Sequence, residues 1–174
     1  MPLKVRRVVV ENDSAGQSIV ADDQVLQAAT VRPSLPIAGC ELWVTDAMPV
    51  DNTAGTQPEQ QQGSLERFGN LYVRNGQGTA FRITEIPPGT PKVFHRTESV
   101  DYDVILSGEI DLVLDDDQTI HLRAGDTVVL RGALHAWWNR GTEPAVLAFI
   151  MIDAAPVVAD GRTLDQHYPS QATP

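Results

Sequence analysis

The sequence predicts an all-β domain, a closed barrel or jelly-roll sandwich with extra strands at its N-terminal end. Two observations carry this. Short apolar runs follow one another at near-regular spacing from about residue 71 to residue 152, and turn residues punctuate them. The 13 glycines and 12 prolines fall mostly between those runs rather than inside them. A third observation agrees: helical periodicity is nowhere sustained, and there is no internal repeat. At 174 residues, one domain is expected. Residues 1–70 supply N-terminal strands and a long loop, 71–156 the barrel, and 157–174 a polar tail.

Taken in order, residues 5–11 and 17–21 read as two strands joined by Asn12-Asp13-Ser14-Ala15-Gly16, a hairpin. Residues 25–31 fit a helical turn or an irregular crossing. Residues 32–36 read as loop and 41–45 as a strand containing Trp43. Residues 46–70 carry Pro49, Gly55, Pro58, Gly63 and Gly69 and are expected to form a mobile loop, a lid or a dimer arm. Strands at 71–74 and 79–86 flank Asn75-Gly76-Gln77-Gly78. Pro87-Pro88-Gly89 interrupts the chain before an extended segment at 91–97. Strands at 101–106 and 109–114 meet at Ser107-Gly108. Asp115-Asp116-Asp117, Ala124-Gly125-Asp126, Arg131-Gly132 and Arg140-Gly141-Thr142 then separate strands at 119–122, 127–130, 134–138 and 145–152.

Net charge is −10. Such a surface repels phosphate, which argues against nucleic acid and anionic membrane as partners. The single cysteine, Cys40, makes no internal disulfide and suits a small buried position. Basic Lys4, Arg6 and Arg7 lead only into Val8-Val9-Val10, too short for a secretory leader, and a cytoplasmic protein is expected.

Side chains alternate along a strand, so His95 shares a face with Thr97, Asp101 with Asp103 and Ile105, and His135 with Trp137 and Asn139. If those faces line one barrel, two imidazoles and a carboxylate meet in one cavity. That donor set suits Fe(II), Mn(II), Zn(II) or Ni(II) with open positions for substrate. Scattered histidines are more commonly not ligands, so the periodicity leaves both readings open. Asp103 fits either a second inward carboxylate or a solvated rim position. Trp137 fits a pocket wall or plain core. Arg82 fits a site for an anionic substrate or an ordinary surface position. Glu98, His121 and His167 read as surface residues, and Tyr102 as outer-face packing.

The segment 79–153 resembles the cupin superfamily. The first motif of that family, G(x)5HxH(x)3-4E(x)6G, aligns with Gly89, His95, Asp101 and Gly108. The second, G(x)5PxG(x)2H(x)3N, aligns with Gly125, Gly132, His135 and Asn139. Thr97 stands where the family has its second histidine and Asp101 where it has glutamate. The proline of the second motif is absent, and Gly125 to Gly132 is one residue short. The resemblance implies a cupin-type double-stranded β-helix and a divalent metal (Fe, Mn, Zn or Ni) on His95, Asp101 and His135. Asp101 and His135 become the catalytic candidates, with Thr97, Asp103, Trp137 and Arg82 around a small-molecule substrate. Together with the apolar strand 102–106, it also implies a homodimer.

The expected function is metal-dependent oxidoreductase or dioxygenase-like chemistry on a small, aromatic or polyketide-like molecule. A metal-free small-molecule binder and an isomerase using Asp101 or His135 as general base fit the same residues.

Overall fold

The computed structural model describes residues 2–32, 35–45, 47–53 and 78–165. Thirteen strands are placed among them, and no α-helix. A hairpin comes first, β1 (Lys4–Asn12) and β2 (Ser18–Gln27). Next are β3 (Ala29–Arg32), β4 (Leu35–Thr45), β5 (Thr79–Ile86) and β6 (Ser99–Ser107). The chain then forms β7 (Glu109–Val113), β8 (Thr119–Arg123), β9 (Thr127–Arg131) and β10 (Ala136–Trp138). It ends with β11 (Ala145–Asp153), β12 (Val157–Ala159) and β13 (Arg162–Leu164).

Six strands form one antiparallel sheet in the order β3-β4-β5-β11-β6-β9, and three form a second, β10-β7-β8. From β6 onward the chain crosses between the two sheets. The core lies between them: Ile86, Ile105, Leu130 and Leu147 from the large sheet meet Ile110, Leu112, Leu122 and Trp137 from the small one. This is the predicted barrel. The strand β6 shows why pattern reading works here. Ser99, Asp101, Asp103 and Ile105 are buried, and the residues between them are not. Gly108 turns this strand into β7 with φ +74°, a conformation that L side chains rarely adopt.

Several expectations change. The hairpin's second strand runs to Gln27, and residues 29–32 form β3, so the stretch read as a helical turn is strand. Asp22, Gln24 and Leu26 alternate as its half-buried face, a period of two. Strand β4 starts at Leu35, inside the expected loop. Pro36 is tolerated near its start, where a missing N–H costs least. The expected polar tail contains a second hairpin, β12–β13, around Asp160 and Gly161, both at positive φ. The strand expected at 71–74, residues 46 and 54–70 of the expected loop, and His167 lie outside the described residues. No helix among the described residues is long and apolar enough to cross a membrane.

The outer face of the large sheet carries an apolar row. Trp43, Phe81, Ile150, Tyr102 and Val129 stand opposite one another across five successive strands. Tyr102 is 47% exposed and Val129 61%. Among the described residues the hairpin β1–β2 is a two-stranded sheet of its own; Arg7 Nη1 donates to Leu42 O (3.1 Å), and a cavity of about 680 Å³ lies between β1 and Trp43, Phe81 and Ile83.

Candidate active site

A cavity of about 130 Å³ opens inside the barrel. That is close to the ~150 Å³ of an engineered cavity that accepts benzene, so one small ring fits its enclosed part. Ile37, Ile86, Val93, Trp137, Phe149 and Met151 make its walls apolar. The polar side chains among its lining are His95, Thr97, Asp101, His135, Arg82 and Thr84.

The two histidines arrive from different segments. Residues 95 and 135 form an isolated antiparallel bridge, with His95 N–H donating to His135 O (2.8 Å) and His135 N–H donating to His95 O (3.0 Å). The rings lie 4.3 Å apart between centroids, tilted 52°. His95 Nδ1 sits 3.0 Å from Val93 O, and His135 Nδ1 sits 2.9 Å from Ala133 O. A carbonyl only accepts, so each Nδ1 carries a proton, and in a neutral ring the lone pair then sits on Nε2. Burial, and then the charge of His95, push His135 down to about 3, so it is neutral at physiological pH.

Asp101 reaches the same cavity from β6. Ser99 Oγ donates to its Oδ1 at 2.5 Å, and Thr97 Oγ1 to its Oδ2 at 3.5 Å. Burial pushes this carboxyl up to about 6, against the opposing pull of Ser99, Thr97 and the Arg82 charge. Its ionisation thus falls close to neutrality. Thr97, in the place of a family histidine, is buried and supports the carboxylate.

Arg82, read from sequence as a surface or anion-binding residue, is 2% exposed and lines the cavity. Its Nε and Nη2 donate to Glu41 Oε2 at 3.3 and 3.1 Å, and its Nη1 lies 3.8 Å from Met151 Sδ. The rim position offered for Asp103 is overturned. It is 1% exposed, both carboxylate oxygens lack a hydrogen-bond partner, and it is not among the cavity-lining residues. Burial, then the neighbouring Asp101, push it up to about 8, so it keeps its proton at neutral pH. Trp137 forms a wall, its ring edge-on to both His135 and Phe149. His121 lies outside the cavity, half-exposed and 2.8 Å from Asp111. Glu98 is half-buried.

The donor set implied for a metal is met only in part. His95 and His135 are both oriented by backbone carbonyls, as metal-binding histidines are, and His135 is neutral. Yet among the described residues no three of His, Cys, Asp and Glu are placed to hold one ion together. Asp101 lines the same cavity but is not grouped with the two rings in such a set.

Residues 82–152 match the Cupin_2 family, a cupin domain. Phomopsin biosynthesis cluster protein D of Diaporthe leptostromiformis is 32% identical over 163 residues, covering 91% of this chain and 83% of that protein. The chain belongs to the cupin family. This cupin is also 25% identical over 165 residues to the cupin-domain-containing oxidoreductase fogC of Aspergillus ruber, covering 93% of the chain and 79% of that protein. The polyketide cyclase RemF of Streptomyces resistomycificus shares the fold. Its TM-score is 0.50 at 13% identity, covering 83% of this cupin and 80% of that structure.

Sequence reading missed Glu41, Ser99 and Met151. Ser99 carries a usable signal, two residues before Asp101 on the same face. Glu41 and Met151 become neighbours of Arg82 only through strand register, which spacing along the chain does not encode.

Proposed function

We propose that this cupin is an enzyme of small-molecule biosynthesis that takes an apolar, ring-bearing intermediate into its barrel and moves a proton on it, with Asp101 as the general base. One observation carries this reading: a buried carboxylate, poised near neutrality, faces a ring-sized apolar cavity. Ser99 and Thr97 hold its orientation. His135, neutral and with its Nδ1 proton on Ala133 O, accepts a hydrogen bond at Nε2 from a hydroxyl or enol of the bound molecule. Trp137 and Phe149 pack the ring and exclude water. The name of the phomopsin biosynthesis cluster relative supports the setting, small-molecule biosynthesis.

A second reading is a metal-dependent oxidoreductase; fogC is named a cupin-domain-containing oxidoreductase. It is favoured by the paired Nδ1-to-carbonyl hydrogen bonds, which orient the two rings as in histidines that bind a divalent Fe, Mn, Zn or Ni ion. The third ligand is what the geometry does not supply.

Deuterium uptake at the methylene of phenylacetone in D2O, followed by proton NMR, tests the first reading. Metal-stripped protein is expected to catalyse exchange and Asp101→Asn to lose it by about 100-fold or more. Exchange that needs a restored metal would favour the second reading. Binding without any exchange would leave a carrier or sensor.

We also infer a homodimer formed through the outer face of the large sheet. The Trp43-to-Val129 row and the gap beside β1 support it. The hairpin β1–β2 shares no ladder with the large sheet and is tied to it by Arg7 Nη1 on Leu42 O (3.1 Å), so a second copy packed on it would add stability.

A further inference from the structure

Asp103 is a buried carboxyl that no other group in the barrel engages. It is 1% exposed, and neither Oδ1 nor Oδ2 has a hydrogen-bond partner. Burying such a group unpaired is costly, and buried polar side chains are as a rule bonded. The polar groups around the cavity that face it are engaged: Asp101 by Ser99 and Thr97, Arg82 by Glu41, and both histidines at Nδ1 by carbonyls. Asp103 sits beside the same cavity. It shares the inward face of β6 with Asp101, two residues away, and stands directly opposite Phe149 of β11. Asp101 and Phe149 both line the cavity, and Asp103 does not. Opposed residues of an antiparallel pair have Cβ atoms about 4.5–5.5 Å apart. Asp103 therefore lies one side chain from the apolar wall, next to Phe149.

We propose that Asp103 is a specificity residue of this site and reads a neutral hydroxyl on the ring of the bound molecule, which reaches the carboxyl past Phe149. This rests on the barrel cavity being the ligand site, as read above, and holds whichever reaction follows. A neutral group suits the charges already there. Arg82 lies beside Glu41, and His95, whose charge is felt by His135, shares the cavity with Asp101. A ligand ammonium would meet Arg82 and His95; a ligand carboxylate would meet Asp101, Asp103 and Glu41. A hydroxyl meets neither repulsion. It also both donates and accepts, so it pairs with a carboxyl in either protonation state. Pairing on binding relieves the cost of the buried carboxyl for a hydroxyl-bearing molecule and not for its hydrocarbon analogue. That is how a polar group in an apolar site discriminates.

Calorimetric titration of the full chain with p-cresol and p-xylene tests this, because the two differ only by OH against CH3. The wild type is expected to bind p-cresol more tightly by about tenfold or more, although p-xylene is the more hydrophobic molecule. Asp103→Leu replaces the unpaired carboxyl with an apolar side chain of the same branching, so it does not endanger the fold, and is expected to prefer p-xylene. Asp103→Asn keeps a donor and an acceptor and should keep the preference for p-cresol. A p-cresol preference that survives Asp103→Leu would place the hydroxyl on another group, such as Asp101 or His135, and overturn the proposal. A wild type that binds p-xylene more tightly would also overturn it, while leaving the cavity as the ligand site. A wild type that binds neither ring would overturn the cavity reading itself, and this proposal with it.

Discussion

The backbones of His95 and His135 exchange two hydrogen bonds, at 2.8 and 3.0 Å, and their rings meet with centroids 4.3 Å apart. This bridge brings two segments 40 positions apart in the chain into one wall of the barrel. Because each Nδ1 is tied to a carbonyl two residues back, neither ring is free to swivel.

Asp103 is held at a cost. Its carboxyl stays protonated up to about pH 8 in the folded protein, whereas an unfolded aspartate releases its proton near 3.8. Between those values the unfolded chain binds fewer protons, so stability falls as pH rises from about 4 to 8. Asp103→Asn should remove this slope and gain on the order of a few kcal/mol over wild type at pH 8, with little gain at pH 4. Urea unfolding at both pH values checks it; parallel curves for the two proteins would show that Asp103 ionises normally.

Gly108 permits the β6–β7 turn. A Cβ there would lie 2.6 Å from Pro144 O, in addition to the penalty of positive φ. Gly108→Val should lose at least ~2 kcal/mol of stability. Thermal unfolding at the wild-type midpoint would contradict the turn geometry.

Asn139, the last residue of the second cupin motif, acts through structure. It is fully buried; Nδ2 donates to Ile86 O (2.8 Å) and Glu143 O (2.9 Å), and Oδ1 accepts from Gly141 N–H (2.9 Å). Asn139→Ala leaves these backbone groups unsatisfied and should cost about 2–4 kcal/mol. Denaturant titration reads the loss, and a cost under ~0.5 kcal/mol would mean that water replaces the amide without penalty.

The homodimer has a direct check. Val129→Glu and Tyr102→Glu put a charge into the exposed apolar row and should give monomers by light scattering, from a dimeric wild type. A monomeric wild type would remove the inferred interface.

The barrel was readable because short apolar runs, of which β6, β8 and β9 alternate, meet at glycine-bearing turns such as Ser107-Gly108. Period two gave the faces that His95, Asp101 and His135 occupy but left open whether those faces point inward; the structure turns all three into one cavity. Arg82 was not readable. Its burial depends on Glu41 lying opposite it in β4, and a register shift between Glu41 and Trp43 sets that pairing. No spacing in the chain announces such a bulge. Asp103 was ambiguous because period two puts it inward while its charge argues for solvent; the covering strands decided it. The C-terminal hairpin did carry a signal, the Asp160-Gly161 pair between residues 157–159 and 162–164.

The central claim is that Asp101 acts as a base inside an apolar cavity. The pH dependence of phenylacetone exchange by metal-stripped protein tests it most directly. The base must be ionised, so the rate should rise with pH, reach half its maximum near pH 6 and then level off, with His135 contributing no second limb above pH 4. The limb should vanish in Asp101→Asn. A midpoint near 4, or an Asp101→Asn protein that retains the wild-type profile, would contradict the account.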